Sequence, residues 1–99
     1  MSYKTLLLSK ARKELANGWQ WYEERHQGLG DRFVKVVLEK ITQIENTPKR
    51  YPIRIGQYHE ATVPVFPYLV IYRINKSKNL VIVAGIFHTK RNPLKKVRD

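Results

Sequence analysis

The sequence predicts an α+β domain in which one strand, two helices and three further strands follow in order, βααβββ. Apolar residues repeat at helical spacing in two stretches of the first half. Two dense β-branched and aromatic runs, "YLVIYRI" (68–74) and "LVIVAGIF" (80–87), occupy the second half. Short segments rich in glycine, asparagine or proline separate these stretches.

Each element has its own warrant. Tyr3 to Leu8 is a short apolar stretch and reads as a first strand. Ser9 stands where an N-cap would, its hydroxyl available to an orphan amide of the next turn. Behind it Ala11, Leu15, Trp19 and Tyr22 form one helical face running to about His26. Gly18 costs that helix on the order of 1 kcal/mol against alanine, which points to close packing at that position. "GLGD" (28–31) breaks the helix, and Asp31 supplies negative charge to the first turn of the next. Phe33, Val37, Ile41 and Ile44 mark the second helix, which should stop near Asn46 because Pro48 cannot continue it. Two helices joined by so short a link must lie antiparallel. Residues 49–57, "KRYPIRIGQ", read as an irregular basic connection. Tyr58 to Phe66 alternates loosely, and Pro64 demotes that strand to an edge or marks a bulge. "NKSKN" (75–79) turns the last two runs into a hairpin. The expected architecture is a twisted, mainly antiparallel sheet with a helical hairpin on one face, the first strand pairing beside the last ones.

Ninety-nine residues suit one domain spanning 1–99. No apolar run approaches the roughly 20 residues that cross a bilayer, no secretory signal is evident, and cysteine is absent. A cytoplasmic protein without membrane contact is expected, with no thiolate chemistry. His26, His59 and His88 show no metal-ligand spacing, so neither metal nor cofactor is expected. The charge is uneven. Residues 1–45 carry eight Lys/Arg against six Asp/Glu, whereas residues 46–99 carry eleven against two, within a net charge of +11. A half this basic calls for an anionic partner such as nucleic acid or an acidic protein.

Five motifs then fall in order: "WYEER" (21–25), "GLGDRF" (28–33), the second helix through "IENTP" (44–48), "FPYLVIYRI" (66–74) and "IFHTKRNP" (86–93). Over nearly the whole chain this series resembles the ParE/RelE family of bacterial toxins, the toxin halves of type II toxin–antitoxin modules, often plasmid stabilisation systems. The resemblance implies a RelE/ParE-like fold, a cognate antitoxin as partner, and one of two targets. ParE-like members poison DNA gyrase; RelE-like members are ribosome-dependent endoribonucleases that cut messenger RNA. The "WYEER…GLG" hairpin resembles the ParE-like branch more. A basic nucleic-acid-binding domain outside any toxin pair is a third reading.

The candidate residues divide accordingly. RNA cleavage needs an acid, a base and cations at phosphorus. His88 is the titratable candidate, with Arg91 and Lys90 to neutralise phosphate and Arg73 and His59 as further members. Two positions depart from the family: relatives commonly carry a cation just before "FPY" and an Arg seven residues before its Phe, where this chain has Val65 and His59. For the antitoxin, Trp19, Trp21 and Tyr22 are candidates. The two tryptophans stand about 200° apart on a helix, so they cannot both face one core. The periodic stripe turns Trp19 and Tyr22 inward, while the resemblance implies that Trp21 and Tyr22 pack. Lys49, Arg50 and Arg54, with Lys90 and Arg91, are candidates for contact with nucleic acid or with the target.

Overall fold

The computed structural model describes residues 3–90. The elements are β1 (Lys4–Leu7), α1 (Ser9–Arg25), α2 (Leu29–Asn46), β2 (Ile53–Ile55), β3 (Tyr58–Thr62), β4 (Tyr68–Asn75) and β5 (Leu80–His88). They form one five-stranded sheet in the order β1-β5-β4-β3-β2. β1 runs parallel to β5, pairing Lys4 with Leu80 and Leu7 with Val83, and every other pairing is antiparallel. The expected α+β order and the pairing of the first strand beside the last are both present.

The helical hairpin covers one sheet face. Phe33, Val37, Ile41 and Ile44 of α2 and Ala11 and Tyr22 of α1 join Tyr68, Val70 and Tyr72 of β4 and Val81, Val83 and Ile86 of β5 in one buried cluster. Tyr22 rests against Phe33 and Phe66 with ring centroids 5.2 and 4.9 Å apart, and Phe33 meets Tyr68 at 4.7 Å. The "FPY" segment is thereby explained: both of its rings enter the core, worth roughly 1.5–3 kcal/mol for each large apolar side chain buried. Burial on this scale sets the hairpin's position, and two glycines set its distance. An added Cβ on Gly18 would lie 2.5 Å from the Phe33 ring, and one on Gly30 would lie 2.5 Å from the Trp19 carbonyl oxygen.

Four details differ from the sequence reading. Leu8, not Ser9, occupies the N-cap position, and no side chain caps α1. The Leu8 amide donates to the Val83 carbonyl at 3.0 Å while the Leu8 carbonyl accepts the Arg12 amide at 3.0 Å, so sheet passes directly into helix at Leu8 and the helix begins one residue earlier than a serine cap would have it. The chain reversal needs only residues 26–28, with Gly28 left-handed at φ +87°, and Leu29 to Asp31 already belong to α2. The basic connection contains a strand, β2, folded onto β3 through Gly56 at φ +56°. Finally, β3 ends at Thr62 and is flanked by β2, so Pro64 is neither in an edge strand nor in a bulge. It opens a loop in which Val65 takes φ +73°.

A bulge does occur, in β5. Tyr72 pairs with Val83 but Ile71 pairs with Gly85, leaving Ala84 as the extra residue. The core-facing residues change parity there, from Val81 and Val83 to Ile86.

Gly18→Ala tests the hairpin spacing. Helix propensity alone favours alanine by about 1 kcal/mol, but overpacking a fixed ring costs about 1–3 kcal/mol. A lower urea midpoint is expected; an unchanged or higher one would mean that the Phe33 ring moves aside freely.

Candidate functional site

His88 ends β5, half-buried, opposite Tyr68 on the helix-covered face. Its ring meets Tyr68 edge-on at 5.0 Å, and its Nδ1 accepts the Lys90 amide at 3.2 Å. Arg73 pairs with Ile82 and so points to the other face, because it alternates with the core residues Tyr72 and Ile74. His59 pairs with Tyr72 from β3. Tyr68 and Tyr72 are four residues apart, so the two histidines are separated by about 13 Å along the sheet, and by about 9 Å across it with β4 between them. His88 and Lys90 are thus neighbours, while His59 and Arg73 stand apart from them and from each other. Arg91 lies outside the described residues.

His59 instead belongs to a fixed polar wall. It is buried, its Nδ1 lies 2.7 Å from the Tyr51 carbonyl oxygen, and its ring stacks on Tyr72 at 4.9 Å and 10°. A carbonyl only accepts, so Nδ1 is the donor in this bond. The Tyr72 hydroxyl in turn donates to the Pro48 carbonyl at 2.7 Å. Burial, reinforced by nearby Tyr51, pushes the Tyr72 phenol well above its ordinary value. Lys49 and Arg50 emerge just beyond α2, and both line a pocket of about 620 Å³ with His59 and with Lys76, a residue that sequence reasoning passed over as part of a turn. Arg54, at the centre of β2, lines a separate hollow of about 300 Å³ beside Lys40 and Glu60.

The aromatic trio on α1 divides differently from both readings of the sequence. Trp19 and Trp21 are 39% and 41% exposed, whereas Tyr22 is only 9% exposed. Tyr22 is therefore corrected from a contact residue to a core residue, because the face through Ala11, Gly18 and Tyr22 is the one turned to the sheet. Trp19 is pinned across the hairpin by its Nε1, which donates to Asp31 Oδ1 at 2.8 Å. Trp21 lies under the Arg25 guanidinium, whose carbon is 3.5 Å from the ring centroid, and meets Tyr22 edge-on at 5.0 Å. Leu15, Ala16, Trp19 and Val34, with Arg12 at hand, line a shallow apolar groove of about 310 Å³ between the helices.

Sequence reasoning also missed Glu23. Its carboxylate accepts the Gly28 amide at 2.9 Å and the Gly30 amide at 3.0 Å, capping the start of α2. Negative charge at a helix N-terminus is favourable, and this bond ties "WYEER" to "GLG". The signal was available: an acidic residue one turn before a glycine-rich reversal.

The family described as the ParE toxin of the type II toxin–antitoxin system parDE matches residues 6–93. The chain belongs to this ParE toxin family. No curated protein matches it in sequence. Among solved structures it is similar to the chromosomal ParDE toxin–antitoxin system from P. aeruginosa, with a TM-score of 0.78 and 12% identity over 90% of this chain and 98% of that one. It is also similar to the RelBE2 toxin–antitoxin complex from Mycobacterium tuberculosis, with a TM-score of 0.68 and 20% identity over 89% and 99% of the two chains. The intact E. coli RelBE complex gives a TM-score of 0.69 and 17% identity over 91% and 100%. At these identities the likeness is one of fold, and it spans the ParE and RelE branches alike.

The Tyr72 wall is testable by pH. The native state holds the phenolic proton more tightly than the unfolded chain, so its contribution to stability is complete below about pH 10 and is lost as the pH climbs further. Tyr72→Phe should cost about 1–2 kcal/mol at pH 7, leaving the Pro48 carbonyl unanswered, and should flatten the alkaline fall of the urea midpoint. An equally steep alkaline fall in the variant would assign that fall to other groups.

Proposed function

We propose that this chain arrests bacterial growth by binding and inhibiting DNA gyrase in the cytoplasm, and that a cognate antitoxin holds it inactive. Membership of the ParE family supplies the reading. The observation that carries it is the dispersal of the candidate acid–base groups: among the described residues, His59 and His88 flank opposite ends of β4 and Arg73 faces away from both. A binding inhibitor needs no convergent acid and base, whereas a ribonuclease does. The strongly basic second half suits a target that works on DNA.

Antitoxin docking is assigned to the apolar groove of the hairpin. Leu15, Ala16 and Val34 form its floor and Trp19 its rigid wall, a combination that takes the apolar face of a helix. The exposed Arg12 beside it favours an acidic helix. The named relatives in solved structures are themselves toxin–antitoxin complexes, which agrees with a protein partner of this kind.

Two measurements test these assignments. Purified toxin, free of antitoxin, should inhibit supercoiling by gyrase, and mapping of RNA 5′ ends after its induction in cells should show no new ends inside codons. His88→Ala should then remain as toxic as the parent chain. New ends within codons, together with loss of toxicity in His88→Ala, would establish the ribosome-dependent ribonuclease instead. For the groove, Ala16→Arg places a bulky charged side chain at an exposed helical position and should weaken antitoxin binding at least about tenfold without lowering the melting temperature. Unchanged affinity would move the antitoxin to another surface.

A further inference from the structure

The pocket beyond the C-terminal end of α2 has no part in either assignment above. We propose that it is a binding site for a free nucleoside polyphosphate, with the phosphates held by Lys49, Arg50 and Lys76 and the nucleoside resting against Tyr51 and Ile74. Three separate segments build it. Lys49 to Ile53 follow α2, His59 comes from β3, and Ile74 and Lys76 come from the end of β4 and its turn. Its volume is about 620 Å³ and, among the described residues, no acidic one lines it. Lys76, brought by tertiary structure beside the adjacent Lys49 and Arg50 with no carboxylate among the described lining residues, makes a set of cations that repel one another until an anion arrives.

The charge count selects the anion. A single carboxylate would neutralise one of three cations, whereas a di- or triphosphate chain matches the set. Arg50 offers a planar fork that fits phosphate oxygens in pairs, and the lysines supply point charges. His59 adds a polar group to the wall in a fixed position. Its Nδ1 is committed to the Tyr51 carbonyl, its ring is stacked on Tyr72, and Tyr72 is anchored to Pro48. With the proton on Nδ1, the neutral ring leaves Nε2 as an acceptor, suited to a hydroxyl or amino group of the nucleoside and not to the phosphates. The apolar half of the lining explains why the ligand carries a nucleoside and not phosphate alone. The Tyr51 ring presents a π-face that already attracts cations, with Lys40 Nζ 5.2 Å and the Arg50 guanidinium carbon 5.9 Å from its centroid. Aromatic rings of this kind stack on any base, so discrimination among the four bases is expected to be weak.

Titration calorimetry on the full chain tests the site with ATP, inorganic triphosphate, adenosine and a ten-nucleotide oligoribonucleotide as probes. ATP should bind, and more tightly than triphosphate or adenosine. Lys76→Glu and Arg50→Glu should each weaken ATP binding at least about tenfold, and His59→Gln by a smaller factor. Lys13→Glu makes the same charge change at an exposed position on α1 and should leave the affinity within about twofold. Circular dichroism of each variant checks that the fold is retained. Equal losses in Lys13→Glu and Lys76→Glu would reduce the effect to overall charge and overturn the site. Triphosphate binding as tightly as ATP would remove the nucleoside, and binding of the oligonucleotide but not of ATP would make the pocket a strand-binding surface; either overturns the proposal. Capture of a glutamate-rich peptide in place of ATP would overturn it in favour of an acidic partner. None of these results bears on gyrase inhibition, which has its own assay.

Discussion

The distance between the two helices is the constraint on which the rest of the molecule depends. Both helices must lay their apolar stripes on the same face of a narrow sheet, and they can do so only if their backbones come close. Gly18 and Gly30 permit that approach, since a Cβ at either position would sit 2.5 Å from an atom of the other helix. The space left at Gly18 is filled by Phe33, which continues inward to Phe66 and Tyr68 at 5.3 and 4.7 Å. Glu23 then fastens the reversal by answering the Gly28 and Gly30 amides. Residues from "WYEER", "GLGDRF" and "FPY", scattered through the sequence, thus describe one packing event.

Much of the fold was legible because it is written in periods. The stripes Ala11–Tyr22 and Phe33–Ile44 have the spacing of a buried helical face, and two long β-branched runs leave little choice but paired central strands. What escaped notice was too short or too context-dependent for a period to register. β2 is only three residues long, with Ile53 and Ile55 both exposed, so no apolar alternation toward a core marks it. Ser9 has the chemistry of a cap, yet the Leu8 carbonyl already accepts the Arg12 amide, so the helix has begun before the serine can cap it.

The site was harder to read, and the reason lies in one residue. Had β5 kept a strict alternation, Val81, Val83, Gly85 and Phe87 would face the helices, and His88 would share the opposite face with Arg73. The bulge at Ala84 inverts that order, so Ile86 and His88 turn toward the helices instead. Gly85, an isolated glycine inside a strand, was the available sign of it. In the same way the trio Trp19, Trp21 and Tyr22 could not be sorted by angle alone. Two tryptophans are held at the surface by specific partners, Asp31 and Arg25, and Tyr22 drops into the core. The arrival of Lys76 beside the adjacent Lys49 and Arg50 is purely tertiary and leaves no trace in spacing.

The contact between Glu14 and β5 has a consequence for the fate of damaged molecules. β1 accompanies β5 only as far as Val83, so among the described residues the outer rim of Ala84 to His88 has no neighbouring strand. There the Ile86 amide donates to Glu14 Oε1 at 2.9 Å, and the other carboxylate oxygen is held by Lys10 at 3.0 Å. A side chain of α1 thereby occupies a backbone donor that would otherwise template the addition of another chain. Loosening of the first helix bares this rim and the β-branched run behind it in the same step. Fraying of α1 is therefore the partial unfolding that couples most directly to self-association, and cellular quality control would meet a sticky strand and a detached helix together.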